Sequence, residues 1–184
     1  FQDNVAGGAG AGVEVHETSG AFTFKNCMIT RNSGGDRGAG LLFDYDPQAT
    51  VMNCTISDNS CSSASGAGFY FSNGGGKVQN TIITGNTPAG INEGGTSSDP
   101  VILNCLFTAN GAADYIDEGN MPLVGINAIN TTLAGASGNI GGDPAFLDAT
   151  AFNYRLGPSS VAIGAGLLAN TPSVDFDGDV RPGE

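Results

Sequence analysis

An all-β, right-handed parallel β-helix, a solenoid of coils about 27 residues long with an irregular C-terminal cap, is the architecture expected of this chain on three grounds. An Asn-rich motif recurs as NCMITRNS at 26–33, NCTISDNS at 53–60, NTIITGNT at 80–87 and NCLFTANG at 104–111. A second motif runs in phase with it: GAGVEV at 10–15, GAGLLF at 38–43, GAGFYF at 66–71 and a decayed AGINE at 89–93. The apolar stretches between these markers are short and alternate with period two, which is the signature of strands.

The closing Asn of each unit falls at Asn4, Asn32, Asn59, Asn86 and Asn110, in steps of 28, 27, 27 and 24 residues. A unit of this size, made of short strands and corners, cannot bury its inner face alone. It must stack on its neighbours at the strand spacing of roughly 4.8 Å. Parallel crossovers are overwhelmingly right-handed, which sets the expected hand of the coil.

Taken in order, each coil first offers the strand after GAG: Val13-Glu14-Val15, Leu41-Leu42-Phe43 and Phe69-Tyr70-Phe71. The next strand carries Phe24, Val51, Val78 or Ile102. The third points Cys27/Ile29, Cys54/Ile56, Thr81/Ile83 and Cys105/Phe107 inward, and it points the column Thr30, Ser57, Thr84 and Thr108 outward. Asn26, Asn53, Asn80 and Asn104 are expected at corners, where left-handed backbone suits Asn, and are expected to bond one another as an amide ladder. The closing Asn would make the following corner. Asp3, Arg31 and Asp58, each preceding a closing Asn, form a column of alternating charge that reads as inter-coil ion pairing. The cysteines read as reduced, buried thiols.

Residues 1–110 are thus assigned to about four regular coils, and 111–184 to terminal coils and a capping segment of the same domain. The opening FQDN matches ITRN at 29–32, so the chain starts in mid-coil and reads as part of a longer solenoid. An end of that kind is an open β-edge suited to end-to-end self-association. The run ADYIDEG at 113–119 breaks the repeat and reads as a solvated loop exposing Asp114, Asp117 and Glu118.

Composition restricts the partners. Acids outnumber bases 18 to 6, for a net charge of −12. Six basic residues cannot neutralise many phosphates, so nucleic acid and anionic membrane surfaces are excluded. No apolar run approaches the length needed to span a membrane as a helix. Gly accounts for 30 of 184 residues, far above the norm of roughly 7%.

Two constellations hold candidate chemistry. The outward columns of the GAG strand place His16, the one histidine, a coil away from Asp44, with Glu14, Tyr70, Tyr45 and Asp46 nearby. Paired titratable groups beside aromatic platforms are what acid/base chemistry on a sugar needs. His16, Asp44 and Glu14 are therefore the candidate catalytic set, with Tyr70, Tyr45 and Asp46 as ligand contacts. Asp175, Asp177 and Asp179 alternate oxygen ligands as calcium loops do, although Val180 stands where an EF-hand needs Gly. They are the candidate Ca²⁺ ligands, and no cofactor is otherwise required.

The coils resemble the right-handed β-helix repeat proteins of bacterial secretomes, the broad pectate-lyase-like group. The segment from Gly138 onward resembles the terminal segment of the choice-of-anchor β-helix family through Asp143-Pro144-Ala145-Phe146, Tyr154-Arg155-Leu156, Ala165-Gly166 and Asp177-Gly178 with Arg181. Val161 replaces that family's proline and Gly164 its aspartate, so the role of that aspartate is not carried over. The resemblance implies a secreted or cell-surface protein of bacterial type. The expected function is a structural or adhesive module contacting carbohydrate. A polysaccharide lyase or glycoside hydrolase is the first alternative, and a self-assembling fibre subunit the second.

Overall fold

The computed structural model of the protein describes residues 1–16, 20–45, 48–64, 66, 68–169 and 171–181. Each regular coil gives one strand to each of three stacks. The front sheet holds Val13–His16, Leu41–Asp44, Phe69–Ser72, Ala89–Glu93 and Ala113–Asp117 in parallel, with Met121–Leu123 added antiparallel at its end. The second sheet holds Thr23–Lys25, Ala49–Met52, Gly76–Gln79, Val101–Leu103 and Ala136–Ser137. The third holds Met28–Thr30, Thr55–Ser57, Ile82–Thr84, Leu106–Thr108 and Ile140–Gly141. The register follows the sequence columns, with Glu14 paired to Leu42, Leu42 to Tyr70 and Tyr70 to Asn92.

The core lies inside the coils. Leu41, Phe43, Phe69, Phe71 and Ile91 come from the front sheet, Val51, Val78 and Ile102 from the second, and Ile29, Ile56, Ile83 and Phe107 from the third. Phe43, Phe69 and Phe71 pack as a triad with ring centroids 5.4, 5.9 and 6.5 Å apart. Such contacts add about 0.5–1.5 kcal/mol per pair beyond the area they bury.

The corners and the ladder exchange roles relative to the sequence reading. Asn26, Asn53, Asn80 and Asn104 do make corners, at φ of 52°, 53°, 50° and 50°. Among them, however, only Asn80 reaches another, donating to Asn53 at 3.5 Å. The second left-handed corner is the residue before the closing Asn: Asp3, Arg31, Asp58, Gly85 and Ala109. That turn swings the closing Asn inward, and the amide ladder forms there. Asn4 donates to Asn32 at 2.9 Å, Asn32 to Asn59 at 2.9 Å, Asn59 to Asn86 at 2.9 Å and Asn86 to Asn110 at 3.2 Å. Each Oδ1 also accepts the backbone N–H of the Asn one coil below, from Asn4, Asn32, Asn59 and Asn86.

The second Gly of the GAG motif makes room for this ladder. A Cβ on Gly40 would fall 2.5 Å from the Gly68 carbonyl oxygen and 3.1 Å from Nδ2 of Asn59. Gly68 stands in the same relation to Gly90 and Asn86. The two motifs are therefore two halves of one stacking device, which is why they recur in phase.

The inward column Cys27, Cys54, Thr81 and Cys105 is as expected, and all four cysteines of the chain are free thiols, but only Cys54 and Cys105 are buried, while Cys27 and Cys61 are partly exposed. Their sulfur stands where a hydroxyl would serve. Cys54 donates to the Met52 carbonyl at 3.2 Å and Cys105 to Leu103 at 3.4 Å, while Thr81 makes the equivalent bond to Gln79 at 2.9 Å. Burial pushes the Cys105 thiol up to about 12, in keeping with an inert structural role. Cys54→Thr, which copies Thr81 one coil on, should change the unfolding free energy by less than about 1.5 kcal/mol, as a near volume-conserving change does. Chemical denaturation of the variant checks this.

Two further expectations are corrected. Residues 113–117 of ADYIDEG are a strand, not a solvated loop, because Ala113 and Tyr115 supply the inward alternation and Tyr115 is fully buried. The column Thr30, Ser57 and Thr84 is buried as well. After the helix Ile126–Thr132 and the hairpin of Phe146–Asp148 with Asn153–Leu156, the chain runs back along the outside of the coils. Tyr154 of that hairpin is buried, with its ring edge-on to Phe146 at 5.1 Å and its hydroxyl 3.4 Å from Asp58.

Farther on, the returning strap takes the amides of the corner Asn column. Asn104 donates to Ala165, Asn80 donates to Leu167 and accepts from its N–H, Gln79 donates to Ala169, and Asn26 donates to Val174. The polar corners that the coils leave open are thus satisfied by chain more than sixty residues away in sequence.

Candidate functional site

The front sheet brings His16 and Asp44 together as the register predicts. Both end their strands and face outward, and His16 Nε2 lies 3.3 Å from Asp44 Oδ2. The imidazole is about half exposed, at 46%, whereas Asp44 is 8% exposed. The other Asp44 oxygen, Oδ1, is buried without a hydrogen-bond partner. Tyr45 follows at φ 55° and meets the imidazole edge-on, with ring centroids 5.8 Å apart. Its ring is exposed, at 53%. The result is an exposed aromatic and imidazole pair oriented from below by a buried carboxylate. Such a carboxylate fixes the orientation of the ring.

Glu14 lies on the same outward face two residues before His16, exposed beside the Gly10 turn. Its column does not continue as a polar groove. The next coil places Leu42 there, fully buried, and the one after places Tyr70 at 8% exposure. The reason is local: the Gly38 crossover, at φ 54°, drapes over that face, so that a Cβ on Gly38 would sit 3.1 Å from the Cβ atoms of both Leu42 and Tyr70. Tyr70 is therefore a packing residue and not the exposed platform expected of it. The guanidinium of Arg37 lies 5.4 Å from its ring centroid, and its hydroxyl abuts Gly94. Asp46, the remaining expected contact, lies outside the described residues.

The acidic tail is arranged otherwise than a calcium loop requires. Asp175 Oδ1 accepts the backbone N–H groups of Asp177 and Asp179 at 2.9 and 3.0 Å, closing its own turn. The Asp177 carboxylate is held by a two-point contact from Arg155, whose Nε lies 2.9 Å away. With one carboxylate neutralised and one committed to the turn, Asp175, Asp177 and Asp179 do not converge as a ligand set. Arg31, by contrast, has the ion-pair role read for it. It clamps Asp3 at 2.9 and 3.0 Å and lies 3.4 Å over the Phe152 ring, while Asp58 turns instead to Ser57 at 2.8 Å.

A cavity of about 680 Å³ lies between the corner Asn column and the returning strap, lined by Asn53, Asn80, Asn104, Tyr154 and Phe176 among others. Cys27 opens onto it. A hydrogen bond with Cys54 holds the Cys27 thiol below the usual range, and the same contact together with burial pushes Cys54 up.

The sequence reading passed over Glu93 and Asp99, which the structure brings together. Glu93 ends the decayed AGINE strand, at a column position that Val15, Phe43 and Phe71 fill in the coils below. The available signal was the column itself, since a carboxylate registers there with phenylalanines.

A family model described as "Right handed beta helix region" matches residues 1–139. No curated protein and no solved structure matches the chain. The family model covers most of the chain and agrees with the stacked parallel coils: this protein belongs to the right-handed β-helix family.

Proposed function

We propose that the protein is an extracellular or cell-surface structural module that contacts neutral carbohydrate through the exposed Tyr45 and His16 edge of its first coils. The observation that carries this reading is the exposed Tyr45 ring set edge-on to His16 over the buried Asp44 carboxylate. An exposed aromatic face beside a hydrogen-bonding imidazole suits the apolar and hydroxyl faces of a sugar ring. The net charge of −12 disfavours a uronic polymer without a bridging cation and leaves neutral glycans as the matching class.

The surrounding construction supports a scaffold. The Asn and Cys/Thr columns are engaged in bonds between and within coils, and the column above Glu14 is filled by Leu42 and Tyr70. The likeness of residues 138–181 to choice-of-anchor segments supports a surface location of bacterial type, and that of the coils to the pectate-lyase-like group supports a carbohydrate partner. The described residues contain no helix long and apolar enough to cross a membrane.

The test is calorimetry against neutral and uronic oligosaccharides, run beside an assay for reducing ends and unsaturated products. Binding of a neutral glycan that Tyr45→Ala weakens at least about tenfold, without bond cleavage, is the expected result, because covering a large apolar side chain is worth about 1.5–3 kcal/mol. Cleavage abolished by His16→Ala and Asp44→Ala would replace the scaffold reading with a lyase or hydrolase. Binding indifferent to Tyr45→Ala would displace the site.

A further inference from the structure

Independently of that surface role, the other end of the front sheet gathers acid. Glu93 is 5% exposed and points into the column of Phe43 and Phe71. Its Oε1 accepts the hydroxyl of Tyr115, a fully buried residue one coil on, which registers with Ile91. Its Oε2 is buried and has no hydrogen-bond partner. Asp99, from the segment after the Glu93 strand, and Glu118, from the turn after Ala113–Asp117, converge on it. One carboxylate oxygen from each of the three residues lies within 4.8 Å of the others. Asp117 adds to the same negative field. Among the described residues, none of the four ion pairs involves these acids.

A buried carboxylate with a free oxygen, facing two more carboxylates and no base, calls for a counter-charge. We propose that Glu93, Asp99 and Glu118 form a divalent-cation site of the calcium class, where the parallel coils give way to the antiparallel return of Met121–Leu123. The donor set decides the metal. Oxygen ligands without imidazole or thiolate disfavour zinc and copper. Ca²⁺ takes oxygens at about 2.3–2.6 Å, so its ligand atoms spread to about 5 Å across the ion, which the observed spacing fits. Mg²⁺ demands a smaller, regular octahedron, whereas ligands drawn from a strand, a loop and a turn form an irregular one. The bound ion would tie those three segments together at a place where the repeat has decayed.

The experiment uses the intact chain after treatment with a chelator. Ca²⁺ binding is measured by calorimetry, and Tb³⁺ is used as a luminescent probe excited through tyrosine. The protein has no Trp, and of its four Tyr residues Tyr115 is the one bonded to Glu93. One Ca²⁺ per chain is expected, with a Kd on the order of 10⁻⁴ M, together with Tb³⁺ emission that Ca²⁺ quenches. Tyr115→Phe should keep Ca²⁺ binding and lose most of the sensitised emission. Glu93→Gln and Asp99→Asn should each weaken Ca²⁺ by more than about 100-fold, beyond the cost of losing an outer-shell partner. Asp99 is exposed, so its variant carries the test even if Glu93→Gln does not fold. Asp177→Asn should leave binding unchanged. Absence of binding by the folded protein at about 10 mM Ca²⁺, or binding that survives Asp99→Asn, would overturn the assignment.

Discussion

Asn59→Ala should lower the free energy of unfolding by about 3–5 kcal/mol, among the largest effects of any single substitution in the coils. Asn59 is fully buried, and its side chain takes part in four hydrogen bonds. Nδ2 donates to Asn86 Oδ1 at 2.9 Å and to the Ile29 carbonyl at 3.0 Å. Oδ1 accepts from the backbone N–H and the Nδ2 of Asn32, at 3.1 and 2.9 Å. Truncation leaves partners in both adjoining coils without their bonds. Each buried orphan costs about 1–3 kcal/mol, and the ladder is cut in two. The control is Asn53→Gly, at a corner where φ is 53° and the side chain receives one 3.5 Å contact from its column. Gly adopts that backbone freely, so this change should cost under about 1 kcal/mol. Urea unfolding of both variants checks the claim, and equal costs would show that the inward column is not what binds coil to coil.

The second large effect concerns pH. In chelator, the protein should be less stable at pH 8 than at pH 5, by up to roughly 3 kcal/mol, and Glu93→Gln should remove most of that difference. Burial raises Glu93 to about 7, and Asp117, Asp99 and Glu118 push it in the same direction, while the Tyr115 hydrogen bond opposes them. An unfolded glutamate releases its proton near 4.5. Between those values the folded chain holds one more proton than the unfolded chain. Stability therefore falls as pH rises through that window and levels off above about 7. Saturating Ca²⁺ should offset the loss at pH 8, because the ion replaces the proton. Thermal melts of both proteins at the two pH values decide it, and parallel profiles for the native chain and Glu93→Gln would remove Glu93 as the origin.

The coil architecture was legible because repetition writes it several times over. In-phase GAG and Asn markers at steps near 27 residues dictate stacking, and stacking dictates the Glu14–Leu42–Tyr70–Asn92 register. The direction in which a repeated Asn points is not carried by its spacing. Both Asn columns recur equally, and a left-handed residue such as Asp58, one position earlier, turns the closing Asn inward. The returning strap was illegible for a related reason. It has no period, and its contacts with Asn26, Asn80 and Asn104 join residues that local patterning cannot relate.

The same limit divided the sites. His16 and Asp44 meet through coil register, which a column alignment contains. The burial of Leu42 and Tyr70 depends on the Gly38 crossover lying across the sheet, which it does not contain. Glu93, Asp99 and Glu118 come together where the decayed repeat gives way to an antiparallel return, so periodicity has least to say there.

A stack of coils behaves as a one-dimensional chain of nearest neighbours, in which an end unit can fray without cost to distant ones. The strap changes that dimension. Asn26 is bonded to Val174 and Asp175 across 148 and 149 residues, and Arg181 returns to Asn26 across 155. Opening an early coil therefore strips contacts from the segment that also fastens Asn80 and Asn104. Units that would melt one after another become members of a single transition.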